Sequence, residues 1–390
     1  MLRVLTLSTL FPDAVRPGFG VFVGHQTKHL AKRPDVDLTV IAPLGLPPAP
    51  LDRFGRYAPL RHLPLLERWE GIAIHRPRFP LWPIVGARLT PGFMARAIMP
   101  LVKQLHQEKP FDVIDAEFFW PDGPVALRLS QALGIPFSIK ARGADIHYWG
   151  KRHDTGPQVL QAGMKADGLL AVSAALRDDM AALGLERDKI RVHYTGVDLA
   201  TFQPVDRDLA KKALGINGPL IITVGALIPR KRQSLVIQAL AQLPDARLVL
   251  IGKGPDADRL QRQAAANGVA ERVQLTGAIG QDEIARWLSA ADVMCLPSAS
   301  EGLANAWVEA LACGTPIVVT DVGGARELLG DSHAGRLVAP EADAIASALR
   351  AMIDTPPDRA SARALAAPFT WERNSEVLYQ HLADLVNRAG

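Results

Sequence analysis

The feature that most constrains the fold is an alternation of short apolar strands with helical segments, which runs through half of the chain and then restarts. The strand candidates are rich in β-branched residues, as buried parallel strands are. The first series lies at residues 3–8, 37–42, 112–116, 136–140 and 168–173, and the second at residues 220–224, 247–251, 272–275, 292–296 and 316–320. The pattern therefore predicts an α/β protein with two Rossmann-like, doubly wound domains.

The predicted seam between the two series lies at residues 194–204, where Gly196 and Pro204 interrupt the periodicity. We expect one domain at residues 1–195, a second at 196–370, and a final helical segment at 371–390. A chain of 390 residues is long enough for two domains. We expect the two sheets to face each other across a cleft, with ligands outside the carboxyl ends of the strands.

Hydropathy and cysteine content narrow the class of protein. No apolar run reaches the roughly 18 residues of a membrane-spanning helix, and the N-terminus enters a strand pattern without the features of a signal peptide. The two cysteines, Cys295 and Cys313, have no Cys or His partner at metal-binding spacing. We therefore expect a cytoplasmic protein that needs no metal and no cofactor.

Positive charge is concentrated in residues 51–100, which hold eight basic and three acidic side chains. The same stretch carries large apolar side chains: Trp69, Phe79, Leu81, Trp82, Phe93 and Met94. Two interpretations stay open, a solvated face over ordinary core aromatics or a surface that contacts anionic lipid of the inner membrane or a lipid-phosphate acceptor. Nucleic-acid binding is not expected, because no stacking motif or dense Lys/Arg cluster accompanies the charge.

The loop after the strand at 292–296 has the composition of a ligand site. Glu301 and Gly302 lie in this loop, and a helix is predicted to begin near residue 303. The free backbone amides expected at its start are those of Leu303, Ala304 and Asn305. Unpaired amides at a helix N-terminus bind phosphate or other anions.

Glu309 follows about two turns into this predicted helix, on the same face as Gly302 and Asn305. A carboxylate can accept hydrogen bonds from both hydroxyls of a ribose. The alternative is a solvated helix glutamate, although the apolar residues on either side indicate a largely buried helix.

The run from Leu296 to Leu328 resembles the E-x7-E segment of the retaining GT-B glycosyltransferases of family 4, with Glu301 and Glu309 as its two glutamates. Residues 309–316 resemble the family string E-A-x-A-C-G-x-P, and residues 321–327 resemble D-x-G-G-x-x-E. The resemblance covers nearly the whole chain and implies a GT-B fold, with the final helix crossing back onto the first domain.

The resemblance implies a hexosyltransferase that uses a UDP- or GDP-sugar donor and a glycan or lipid-linked acceptor, with retention of anomeric configuration and without a metal. It implies a role in cell-envelope polysaccharide biosynthesis, at the cytoplasmic face of the inner membrane. Glu301 and the amides after it would engage the sugar, and Glu309 would hold the ribose.

Further donor residues are implied by motifs elsewhere in the second domain: Gly225, Arg230, Lys231 and Thr276. Arg230 and Lys231 would neutralise the diphosphate as it leaves, whereas the alternative is a solvated basic helix start. Two positions depart from the family pattern, because Ala226 replaces an arginine and Arg232 replaces a glycine.

In the first domain, the loop that contains Gly20 resembles the glycine-bearing loop that closes over donor and acceptor in this family. Residues 142–145 resemble its H-G-x-D string, with Asp145 retained and Arg142 in place of the histidine. Arg142 then either binds a phosphate or an acidic acceptor, or pairs structurally with Asp145 or another acid.

Other functions fit the residues less well. A nucleotide-sugar epimerase or a non-catalytic nucleotide-sugar-binding protein could share the fold and the donor motifs. An NAD(P) oxidoreductase is disfavoured, because the first strand is not followed by G-x-G-x-x-G. A metal-dependent GT-A enzyme is disfavoured too, because the two D-x-D strings, at 35–37 and 256–258, lack further metal ligands.

Overall fold

The computed structural model describes residues 1–82 and 86–389. It contains two compact units, one formed by residues 1–196 with the segment from Trp371 onward, and the other by Val197–Thr370. Of the basic stretch at residues 51–100, Pro83, Ile84 and Val85 lie outside the described residues.

The first unit is built on an eight-stranded sheet of order β10-β9-β8-β7-β1-β2-β5-β4, with a separate two-stranded sheet β3-β6. Its strands are β1 (Leu2–Leu7), β2 (Val36–Ile41), β3 (Leu44–Leu46), β4 (Leu66–Trp69), β5 (Ile72–His75), β6 (Arg78–Pro80), β7 (Val113–Ala116), β8 (Phe137–Ala141), β9 (Gly168–Ala171) and β10 (Ile190–Val192). Its helices before the seam are α1 (Val21–Ala31), α2 (Tyr57–Leu60), α3 (Thr90–Glu108), α4 (Asp122–Leu133), α5 (Gly156–Lys165) and α6 (Ala174–Ala182). All neighbouring strands of the large sheet are parallel except β4, which pairs antiparallel with β5 at one edge.

The second unit has a six-stranded, all-parallel sheet of order β13-β12-β11-β14-β15-β16. Its strands are β11 (Leu220–Val224), β12 (Arg247–Ile251), β13 (Val273–Gly277), β14 (Val293–Leu296), β15 (Ile317–Thr320) and β16 (Gly335–Val338). Its helices are α7 (Arg207–Ala213), α8 (Gln233–Leu240), α9 (Ala257–Ala266), α10 (Gln281–Ala290), α11 (Asn305–Ala312), α12 (Ala325–Leu329), α13 (Ala342–Asp354) and α14 (Arg359–Ala366). Numbered within the unit, this order is 3-2-1-4-5-6, that of the Rossmann fold.

The last helix, α15 (Trp371–Ala389), packs on the sheet of the first unit. Leu378, Leu382 and Leu385 lie on one face at i, i+4 and i+7, and they join a buried cluster with residues of β1 and β7. The buried His381 ring is hydrogen-bonded to the Ser138 hydroxyl of β8 at 2.7 Å. This apolar stripe explains why a segment 175 residues beyond the seam belongs to the first unit.

The α/β fold predicted from the two strand series is confirmed. One predicted helix start is wrong, because the helix predicted to begin near residue 303 begins at Asn305. The helix after Arg230 and Lys231 begins at Gln233, following a 3-10 turn at Pro229–Lys231. The proline-rich residues 42–64 contain β3 and α2.

Candidate functional site

The strand order of the second unit changes direction between β11 and β14, which are neighbours in the sheet. Such a switch point leaves a crevice at the carboxyl ends of the two strands, where ligands bind in this class of fold. The loops that follow the two strands are joined, because the Ala299 amide donates to the Arg230 carbonyl at 2.7 Å. The Thr223 hydroxyl of β11 also donates to the Cys295 carbonyl of β14 at 2.7 Å.

A carboxylate with two cations lies at this switch point. Lys231 Nζ is 2.5 Å from Glu301 Oε1, and Arg230 donates to Glu301 Oε2 at 3.2 Å. Burial acts to raise the pKa of Glu301, but the charges of Lys231 and Arg230 outweigh it and hold that pKa below its usual value. The structure therefore brings together the three residues for which the sequence suggested catalytic roles.

The local backbone explains how the two cations reach Glu301. Arg230 and Lys231 lie in a 3-10 turn, and Arg232 follows with φ 52° and ψ 33°, in the left-handed region. This region is unfavourable for a residue with a Cβ, and Arg232 occupies the position where the family pattern has glycine. Gly225 lies beside Lys231, because a Cβ added at Gly225 would be in ordinary van der Waals contact with Lys231 Cε at 3.6 Å, and its φ of 154° is what favours glycine there.

The start of α11 differs from the prediction by two residues. Ala304 is the N-cap, with φ −72° and ψ 121°, so Leu303 and Ala304 precede the helix and only Asn305 belongs to it. Within residues 1–82 and 86–389, the amides of Leu303, Ala304 and Asn305 nevertheless have no hydrogen-bond acceptor. The three free amides expected from the sequence are therefore present in the structure, although only one of the three belongs to the helix.

The turn at residues 321–324 packs against the loop that carries Gly302. The Gly324 amide donates to the Gly302 carbonyl at 2.7 Å, and a Cβ at Gly323 would lie 2.3 Å from the Glu301 carbonyl oxygen. The structure thus explains the two glycines of the D-x-G-G string, because their backbone packs directly on the loop that carries Glu301.

Glu309 lies in α11 and is half-buried. Among the described residues, no group is within hydrogen-bonding distance of its carboxylate. Burial raises the pKa of Glu309 to about 7. A half-buried carboxylate without a donor is energetically unfavourable, and a ligand with paired hydroxyls would supply the missing hydrogen bonds.

Two further loops of the second unit approach the same edge of the sheet. The Thr276 hydroxyl donates to the Gly277 carbonyl at 3.0 Å at the end of β13, and the Gly252 amide donates to the same carbonyl at 2.9 Å. A Cβ at Gly252 would lie 2.0 Å from the Gly225 carbonyl oxygen, so only glycine allows the loops after β11 and β12 to meet.

In the first unit, Gly20 is the N-cap of α1 and has φ 65°. A Cβ at this position would lie 2.4 Å from the Leu10 carbonyl carbon, so the close return of the loop onto residue 10 requires glycine.

Arg142 forms an ion pair with an acid in the structure, which is one of the two interpretations that the sequence left open. Its guanidinium is buried and pairs with the fully buried Glu117, rather than with Asp145. Arg142 Nε also donates to the Glu117 carbonyl at 2.9 Å. Asp145 instead accepts backbone amides, from Gly143 at 2.8 Å and Phe119 at 3.2 Å, and so shapes the loop.

Sequence reasoning missed the buried polar network around this pair. Glu117 also accepts from Gln26 of α1, whose side-chain oxygen accepts from Lys140. Burial lowers the pKa of Lys140 to about 7, and burial beside Glu117 raises the pKa of Asp115 well above its usual range. The available signal was a charged residue inside each of two strands, β7 and β8, that are apolar apart from it and Ser138.

The basic stretch at residues 51–100 fits both interpretations in part. Phe79 and Met94 are buried core residues, whereas Trp82 is 48% exposed. Among the residues that the structure describes, no helix combines the length and apolar character needed to cross a bilayer. Within the same ranges, no three side chains of His, Cys, Asp or Glu are grouped so that they could hold a metal ion.

Two protein-family models together match almost the whole chain. The model of Glycosyltransferase Family 4 matches residues 18–201, and the model of Glycosyl transferases group 1 matches residues 206–367.

Two relatives show how far the sequence similarity extends. The putative teichuronic acid biosynthesis glycosyltransferase TuaC of Bacillus subtilis (strain 168) is 28% identical over 364 residues, which cover 89% of this chain and 88% of TuaC. The D-inositol 3-phosphate glycosyltransferase of Frankia alni is 31% identical over 293 residues, which cover 68% of this chain and 69% of the relative.

Solved structures share the fold over the full length. A sucrose-phosphate synthase from Thermosynechococcus elongatus matches with a TM-score of 0.83 at 21% identity, covering 100% of both chains. Anabaena HepE, solved in complex with UDP-glucose, matches with a TM-score of 0.75 at 20% identity, also covering 100% of both chains. The chain therefore belongs to glycosyltransferase family 4, the group 1 glycosyl transferases, and has the GT-B fold.

Proposed function

We propose that this glycosyltransferase takes a hexose from a UDP- or GDP-sugar, which binds at the switch point of the second unit. The observation that carries the proposal is the Glu301 carboxylate held by Arg230 and Lys231 at the carboxyl ends of β11 and β14. UDP as the carrier is supported by HepE, which was solved with UDP-glucose.

In this proposal Arg230 and Lys231 neutralise the diphosphate. Negative charge on the leaving diphosphate grows in the transition state, so cations held nearby stabilise that state more than the ground state. The free amides at residues 303–305 and the Glu301 carboxylate engage the sugar. Glu309 accepts hydrogen bonds from the ribose hydroxyls, and Gly225 and Thr276 belong to the loops that border the nucleotide.

We propose that transfer proceeds with retention of configuration and without a metal ion. Arg230 and Lys231 supply the positive charge that a metal would otherwise bring to the diphosphate. The acceptor hydroxyl attacks the donor face shielded by the leaving phosphate, and a phosphate oxygen accepts its proton.

The acceptor is a glycan or lipid-linked glycan of the cell envelope. The enzyme binds it at the cytoplasmic face of the inner membrane, where the protein makes peripheral contact with anionic lipid. The name of TuaC, a putative teichuronic acid biosynthesis glycosyltransferase, supports an envelope polysaccharide as the acceptor class. The excess of basic side chains in residues 51–100 supports the lipid contact.

Incubation with each candidate donor, alone and with envelope glycan acceptors, tests this function. We expect acceptor-dependent release of the nucleoside diphosphate and a glycosidic product with the anomeric configuration of the donor, read by NMR. Clean epimerisation of the donor without an acceptor would overturn the transferase proposal, and an inverted product would overturn retention.

A further inference from the structure

We propose that Arg16 binds an anionic group, a phosphate or a carboxylate, on the acceptor substrate. This proposal rests on the proposed function, in which the donor occupies the second unit, and it adds the chemical class of the acceptor and a residue that recognises it. Arg16 lies in residues 8–20, which connect β1 to α1. We call this segment the 8–20 loop.

The 8–20 loop lies at the switch point of the first sheet. β1 pairs with β2 on one side and with β7 on the other, so the strand order changes direction there. Ligands of this class of fold bind at the carboxyl ends of such strands. The loops after β1 and β7 are joined, because the Thr9 amide donates to the Asp122 carboxylate at 3.0 Å. In the proposed function the donor binds at the switch point of the second unit, so the crevice of the first unit is available to the acceptor.

The first half of the 8–20 loop is fixed to the strands β4 and β5. The buried Arg76, which follows β5, donates to the Pro12 carbonyl at 2.5 Å and pairs with Glu67 of β4. Phe11 is buried and contacts the Trp69 ring edge to face, with the ring centroids 5.6 Å apart. These contacts give the second half of the loop a fixed support.

The second half of the loop reaches solvent and holds Arg16 in one position. The Asp13 side chain is 0% exposed, and its carboxylate accepts the backbone amides of Val15 at 3.0 Å and Arg16 at 2.7 Å. Arg16 Nε and Nη2 donate to the other oxygen of this carboxylate at 3.0 Å and 2.6 Å. The guanidinium carbon also lies over the Phe19 ring, 4.4 Å from its centroid. Arg16 is therefore ordered before a ligand binds, which lowers the entropic cost of binding.

One edge of this ordered guanidinium is unused. Nε and Nη2 face Asp13, whereas Nη1 has no hydrogen-bond acceptor in residues 1–82 and 86–389. The Arg16 side chain is 33% exposed while that of Asp13 is buried, so solvent reaches the guanidinium on the side away from Asp13. Two adjacent guanidinium donors match two oxygens of a phosphate or a carboxylate, whereas a single sugar hydroxyl would use only one of them.

The acids of the loops after β1 and β7 do not oppose an anion. Asp13 pairs with Arg16, and Glu117 pairs with Arg142. Burial raises the pKa of Asp122 to about 8, so this carboxyl is largely protonated at neutral pH. Residues 8–20 and 117–122 contain no other acid. An anionic group at Arg16 therefore meets no free carboxylate of these two loops.

Saturation-transfer NMR on the full chain tests the proposal with three probes, glucose 6-phosphate, glucuronic acid and neutral glucose, without donor. We expect the wild type to bind at least one charged probe about tenfold more tightly than glucose, because hydrogen bonds between charged partners are the stronger ones. Arg16→Gln should abolish this preference. Arg16→Lys, which keeps the charge but not the paired donors, should retain part of it.

Two further variants separate recognition from folding. Asp13→Asn with Arg16→Gln removes both partners of the ion pair, so no buried carboxylate remains without its cation, and it should lose the preference as Arg16→Gln does. The matched control is Arg187→Gln, because Arg187 is exposed, pairs with Asp178 at 3.0 Å and precedes β10 at the opposite edge of the sheet. The control should bind all three probes as the wild type does. Thermal unfolding of each variant checks that the fold is kept.

Several results would overturn the proposal. They are equal binding of all three probes to the wild type, an unchanged preference in Arg16→Gln or in the double variant, and a loss of preference in Arg187→Gln. A sugar phosphate bound at Arg230 and Lys231 would keep its affinity in Arg16→Gln and so gives one of these results.

Calorimetric titration of the same variants with UDP and GDP separates the acceptor from the donor. We expect Arg16→Gln to bind them as the wild type does, and a loss of nucleotide affinity would assign Arg16 to the donor and contradict the proposal. If neither UDP nor GDP binds the wild type, the proposed function fails by itself, whatever the sugar probes show.

Discussion

Each unit holds a glutamate with two basic neighbours at the carboxyl ends of its strands, but the two groups differ in exposure. In the first unit, Glu117 and Arg142 are 0% and 7% exposed, and Lys140 is fully buried. In the second, Glu301 is 8% exposed while Arg230 is 36% and Lys231 13% exposed. We call the buried group of Glu117, Arg142 and Lys140 the closed group, and the group of Glu301, Arg230 and Lys231 the open group. The closed group is suited to holding the protein together, whereas in the proposed function the cations of the open group exchange the glutamate for a substrate phosphate. The comparison teaches that groups of similar composition, at the carboxyl ends of the strands in both units, differ in exposure, and we therefore expect a structural role in the first unit and ligand binding in the second.

The largest expected effect is the loss of turnover when the open group is disrupted. Lys231→Ala and Glu301→Gln should each lower kcat by about 10³-fold, because each removes a charged contact made in the transition state. Steady-state release of nucleoside diphosphate measures this. Arg262→Ala on α9 is the control, and unchanged kcat in Lys231→Ala would contradict the role given to the open group.

Disruption of the closed group should lower the stability of the protein rather than its turnover. Glu117→Gln leaves the Arg142 guanidinium buried without its counter-charge, which should lower the free energy of unfolding by about 3–5 kcal/mol. Glu301→Gln, the same substitution in the open group, should cost less, because Arg230 is 36% exposed and can regain water. Urea denaturation compares the two. Equal losses would remove the distinction between the groups.

The pH dependence of stability should show that the unpaired Glu309 carboxylate destabilises the protein without ligand, as expected of a ligand-binding group. Its pKa is about 7 in the folded protein and 4.5 in the reference state, so the unfolded chain releases this proton first as pH rises. Stability is therefore lost between about pH 4.5 and 7, and Glu309→Gln should recover about 1–2 kcal/mol at pH 8. The same variant should bind donor more weakly. Thermal unfolding of both proteins at pH 5 and pH 8 measures the difference, and no gain at pH 8 would refute this reading of Glu309.

The smallest effect concerns the backbone that presents the cations. Arg232→Gly should raise the free energy of unfolding by about 0.5–1 kcal/mol, because glycine adopts the left-handed conformation at little cost. Arg232→Ala is the control, since it removes the same side chain but keeps the Cβ. If the alanine variant gains as much as the glycine variant, the backbone is not the cause.

Much of the fold could be predicted because parallel strands buried on both faces leave a signal in the sequence itself. The strands β11, β12 and β14 are almost uninterrupted apolar runs. Short edge elements such as β3, β4 and β6 lack this signal, because they are only three or four residues long and partly exposed. Periodicity also could not place the start of α8, which depends on the left-handed conformation of Arg232.

The candidate site residues could be named from the sequence, but their contacts could not. The spacing of Glu301 and Glu309 is a local property of one loop and one helix. The pair between Arg142 and Glu117 joins residues 25 apart in sequence, through the pairing of β7 with β8 and the loops after them. The absence of a partner for Glu309 within the described residues is likewise visible only once the surrounding helices are packed.

The most direct test of the account is calorimetric titration of the protein with UDP-, GDP-, ADP- and dTDP-sugars, for the wild type and for Lys231→Ala. The account predicts that a UDP- or GDP-sugar binds the wild type and that Lys231→Ala weakens this binding at least about tenfold, since a charge-assisted contact contributes about 1.5–3 kcal/mol. Binding of none of the four, or equal affinity in the variant, would contradict the assignment of the donor site to Glu301, Arg230 and Lys231.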